Sequence, residues 1–74
     1  MSKLYHRLLE EIEYAKGSKT PRELLYQTHG RITMARHLEA ISPAEYLVLE
    51  HECVAEGINC KKFFGEEGNR YENV

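Results

Sequence analysis

The chain has 74 residues, room for one domain, which at this size buries only about 60% of the surface its unfolded form exposes. With 42% apolar and 30% charged residues the composition is globular rather than disordered. Ten Lys and Arg against twelve Glu, with no Asp, give a net charge of −2, which excludes the strongly basic character of a general nucleic-acid or anionic-membrane binder.

A first helix is predicted over residues 2–16, because Leu4, Tyr5, Leu8, Leu9, Ile12 and Ala15 recur at three- and four-residue spacing and Gly17 stops the pattern. Two boundary signals of one kind follow. Thr20-Pro21-Arg22-Glu23 and Ser42-Pro43-Ala44-Glu45 both read as capping boxes: the hydroxyl accepts the N–H of the third helical residue, the Glu reaches back, and Pro takes the first position, where no N–H is needed. Helices are therefore expected over 21–40 and 43–57.

In the second helix Leu24, Leu25, Thr28, Ile32, Ala35 and Leu38 form the apolar stripe, and Gly30 in its middle costs about 1 kcal/mol relative to Ala, so this helix is either continuous or broken there. Ile41 precedes the second cap and is expected to close on Tyr46 as a hydrophobic staple. On an α-helical wheel, Ala44, Leu47, Val48, His51, Val54, Ala55 and Ile58 share the core face of the third helix, and Gly57 is placed to close it in a left-handed conformation. Beyond Gly57 the helical period is lost.

The expected fold is all-α: a small three-helix bundle, or a helical hairpin plus a third helix, with an irregular C-terminal tail. Residues 1–64 are expected to form the helical domain, with Phe63 and Phe64 folded back onto it, and 65–74 to be mobile. A core this thin makes a homodimer a reasonable expectation. The charged N-terminal stretch lacks the apolar run of a signal peptide, and nothing approaches the roughly 20 apolar residues of a membrane span. The cytoplasm is the expected location, with Cys53 and Cys60 as reduced thiols.

Metal binding and catalysis find no support in the residue pattern. His51, Cys53 and Cys60 are ligand types that suit zinc, but residues two apart on a helix point to opposite sides and cannot share an ion. The four histidines fall on different helix faces, and no nucleophile, base and orienting carboxylate converge. No metal, no cofactor and no enzymatic activity are expected.

Tyr46, Leu49 and Cys53 form a second, narrower apolar strip on the third helix, about 140° from the centre of its expected core face and flanked by Glu45, Glu52 and Glu56. An apolar strip with a charged rim suits a partner protein or a second copy of the chain, with Phe63 and Phe64 of the tail joining it. The alternative site lies on the second helix. Arg31 to Ile41 is similar to the recognition helices of helix-turn-helix regulators, with Leu24 to Gly30 as the preceding helix and turn; Arg31, Arg36 and His37 would then contact DNA.

The spacing of Gly30, Met34, Ala35, Leu38, Ile41, Ser42, Glu45, Tyr46 and Leu49 resembles small helical proteins of bacterial phages and mobile elements. There a Gly-x-x-x-Met-Ala-x-x-Leu stretch precedes an Ile, a polar cap and a second helix with Glu, an aromatic and Leu. What the resemblance implies is stoichiometric action by binding, as a regulator or inhibitor of a host protein. It assigns no functional residue.

Overall fold

A computed structural model describes residues 2–60; the expectations about Phe63, Phe64 and residues 65–74 lie outside the described residues. The architecture is all-α. Helix α1 spans Lys3–Lys16, α2 spans Pro21–His37 and α3 spans Pro43–Glu50, which runs on without a break as a π-helical segment, His51–Ile58. No strand occurs among the described residues, and no described helix is long and apolar enough to cross a membrane.

Each boundary has a local cause. The Ser2 hydroxyl caps α1 by accepting the Tyr5 N–H at 3.1 Å. Ser42 and Glu45 form the expected capping box: Ser42 Oγ accepts the Glu45 N–H at 3.1 Å, and Glu45 Oε1 accepts the Ser42 N–H at 2.8 Å. The matching expectation at Thr20 is corrected. Its hydroxyl caps nothing, because its backbone sits at ψ 64° rather than at the extended 157° and 162° of Ser2 and Ser42.

Helix α2 passes straight through Gly30 and stops at His37, three residues before the expected end. There Glu39 takes a left-handed φ of 58°. The Ala40 N–H donates to Ala35 O at 2.8 Å and the Glu39 N–H to Arg36 O at 3.0 Å, the paired bonds of a Schellman closure with a non-glycine residue at its left-handed position.

The core collects Tyr5, Leu8, Ile12 and Ala15 from α1, Leu25, Ile32 and Ala35 from α2, Ile41 from the connection, and Leu49, Cys53 and Ile58 from the third helix. For α1 this is the predicted face. Ile41 is buried and Tyr46 packs half-buried against the same cluster. The exception on α2 is Leu38, which is 68% exposed.

On the third helix most of the expected face points outward, although Ile58 is buried and Val54 packs against the core as expected. Leu49 and Cys53 are fully buried, whereas Leu47 is 65% and Val48 42% exposed, and Ala44, His51 and Ala55 also face outward. The buried residues are Glu45, Leu49, Cys53 and Gly57, spaced by four, together with Ile58. In a pure α-helix each step of four drifts about 40° around the axis, so three steps would carry Gly57 off the core. The wider π turn from His51 onward cancels that drift.

Gly57 is not a left-handed closing residue. A Cβ there would lie 3.0 Å from Leu25 Cδ1 and 3.2 Å from the Glu52 carbonyl, so its lack of a side chain lets the π segment approach α2. Two further bonds fasten that contact: Cys53 Sγ donates to Leu25 O at 3.2 Å, and Arg22 Nη2 donates to Ile58 O at 3.0 Å, placing a cation at the C-terminal end of the helix.

Candidate protein-docking surfaces

The residues expected to make the partner strip are mostly core. Leu49 and Cys53 have no exposed surface, and burial pushes the Cys53 thiol up to about 11, despite the opposing charge of Lys16. A thiol so protonated and enclosed is a packing group. Tyr46 is half-buried under Arg36, whose guanidinium carbon lies 5.1 Å from the ring centroid. A hydrogen bond to Glu50, then burial, raises its hydroxyl above the usual tyrosine range.

Glu45, expected on the rim, is 7% exposed. Its carboxylate accepts from the Ser42 N–H and, through Oε2, from the Ser2 N–H at 3.1 Å and the Ser2 hydroxyl at 3.4 Å. The backbone bond from Ser42 comes first among the causes that lower its pKa, followed by that from Ser2. One carboxylate thus ties together the N-terminal ends of α1 and α3.

The residues of the DNA-binding alternative are dispersed. Arg31 is ion-paired to Glu11 of α1 at 3.0 Å, Arg36 covers Tyr46, and His37 is exposed in the last turn. Because α2 is unbroken, the turn that a helix-turn-helix needs at Gly30 is absent. His51 sits 3.4 Å from Glu56 on the outer side of the π segment, away from the buried Cys53.

Reversing the third helix leaves an apolar outer ridge of Ala44, Leu47, Val48 and Ala55, with Glu50 three residues after Leu47 and Glu52 four after Val48. The sequence therefore carries an outward apolar strip with an acidic rim on this helix, made of the residues assigned to the core.

A second surface went unnoticed in the sequence. Between α1 and α2 runs an open groove of about 550 Å³, walled by Leu4, Leu8, Met34, Ala35 and Leu38, with Arg7, Glu11, Gln27 and Arg31 along it. Met34 is 57% exposed and Leu38 68%. The Arg31–Glu11 pair bridges the helices beside the groove; with the Arg31 side chain 59% exposed it contributes well under about 1 kcal/mol.

Gly30 also lines this groove, and its position is informative. A Cβ there would meet no atom within 4 Å, and its φ is not left-handed. Neither packing nor backbone geometry requires glycine, although glycine costs the helix about 1 kcal/mol relative to Ala. The signal legible in the sequence was Gly30 followed by Met34 and Leu38, one and two helical turns on along the same face. No protein-family model, curated protein or solved structure matches the chain.

Proposed function

We propose that the chain is a small helical protein-interaction module that acts stoichiometrically rather than as an enzyme, and that its docking site is the α1–α2 groove. The observation that carries this reading is Gly30: a mid-helix glycine that the fold does not need, set where a side chain would fill an apolar groove. Exposed Met34 and Leu38 supply the adaptable apolar contact area common at such sites. The resemblance to phage proteins that regulate or inhibit host proteins points the same way.

The test separates binding from stability. Gly30→Ala should stabilise the fold by about 1 kcal/mol. Gly30→Leu should leave the fold at least as stable as wild type while obstructing the groove. In affinity capture from a bacterial lysate, proteins retained by wild type should be lost with Gly30→Leu. Retention of the same proteins by a well-folded Gly30→Leu variant refutes the groove as the docking site.

A further inference from the structure

Charge is divided between the helices. Within their bounds, α1 and α2 carry six Lys and Arg against four Glu, whereas α3 and the π segment carry four Glu and no Lys or Arg. The groove follows that division: Arg7 and Arg31 line it, Glu11 is taken up by Arg31, and Arg7 has no ion-pair partner among the described residues. The ridge is its counterpart, convex and apolar with the half-buried Glu50 at its side, while Glu52 is taken up by Lys16 of α1 at 3.4 Å as Glu11 is by Arg31.

Their dimensions also agree. From Ala44 to Ala55 the ridge runs about 15 Å, and the α2 wall of the groove runs about 16 Å from Gln27 to Leu38. A third helix laid over a pair at the usual spacing of about 8–10 Å would place Leu47 and Val48 among Leu4, Met34 and Leu38.

Resting on the protein-binding reading above, we infer that the occupant of the α1–α2 groove is a second copy of this chain, which inserts the outer ridge of its third helix. Groove and ridge are different surfaces, so the contact is head-to-tail: each copy keeps one unused groove or ridge, and association continues into short chains or a ring. One helix on two buries less than the roughly 1,200 Å² that marks stable complexes, which makes the contact transient. The exposed charges at its edge add a modest contribution that salt screens.

The experiment is sedimentation equilibrium of the full chain and two variants between about 10 µM and about 1 mM, the range of weak association. Met34→Glu places a carboxylate in the groove, and Leu47→Glu places one on the ridge. Both sites are exposed, and circular dichroism checks each fold; Met34→Gln and Leu47→Gln replace either variant that fails to fold. Wild type should rise above the 8.6 kDa of a monomer with concentration. Each variant alone should stay monomeric.

An equimolar mixture of the two variants should form a one-to-one dimer and stop there, because only one productive groove–ridge pair remains. Arg7→Glu should weaken wild-type association by about two- to fivefold. A monomeric wild type throughout the range overturns the inference, and so does a wild type that associates while the variant mixture does not, since that marks a symmetric contact. Variants that still associate alone overturn it equally. If wild type is monomeric yet lysate proteins are captured and lost with Gly30→Leu, the protein-binding reading stands and the homotypic occupant falls.

Discussion

Leu47 and Leu49 are two residues apart in one helix, chemically identical and oppositely placed, so truncating each in turn reports directly which way the third helix faces. Leu49 is fully enclosed and Leu47 is 65% exposed. Leu49→Ala removes buried methyl groups and leaves a cavity between helices, a change that costs about 2–5 kcal/mol. A core of this size supplies only about 3–5 kcal/mol in total. The variant should therefore lose its cooperative thermal transition, or melt at least about 8 °C lower, at about 4–8 °C per kcal/mol. Leu47→Ala should stay within about 0.5 kcal/mol of wild type, as exposed substitutions do. Thermal and urea unfolding followed by far-UV circular dichroism, at a concentration low enough to keep the chain monomeric, measures both. Equal losses, or a larger loss at Leu47, would refute the orientation of the third helix and with it the outer ridge.

Two other outcomes follow from local geometry. Glu39→Gly should raise stability by about 0.5–1 kcal/mol, because the left-handed φ that costs a side-chain residue about 1–2 kcal/mol is open to glycine, less the extra backbone entropy glycine loses on folding; chemical denaturation checks it. The pKa of Glu45 is lowered in the folded state, so the stability its charge contributes is present above the unfolded carboxylate value of about 4.3 and is lost as pH falls through the lower folded value. Unfolding measured across that acid range should show the loss in wild type, while Glu45→Gln should be less stable at neutral pH and lose less on acidification; parallel curves for the two would remove Glu45 as the tie between α1 and α3.

By itself the sequence determined the all-α class, the number and order of helices, the buried face of α1, the Ser42–Glu45 capping box and the stop at Gly17. Each of these depends on residues within a turn or two of one another, through spacing, caps and backbone preferences that act locally. The Thr20 cap failed because its hydroxyl needs an extended backbone that the preceding connection does not give it. The face of the third helix was beyond local reading, since both of its strips are apolar and a wheel drawn at 100° per residue assumes a pure α-helix. Tertiary contacts decided it: Glu45 reaches Ser2 across 43 residues, Cys53 bonds the Leu25 carbonyl across 28, and Gly57 lets the helix close on Leu25. The π turns that bring Cys53 and Gly57 to the same side as Leu49 let those contacts form together. The α1–α2 groove belongs to the same class of feature, because its walls come from two helices and exist only once the helices pack. Gly30, with Met34 and Leu38 on the same face, was its local signal: a residue that the helix disfavours and that neither packing nor backbone geometry requires.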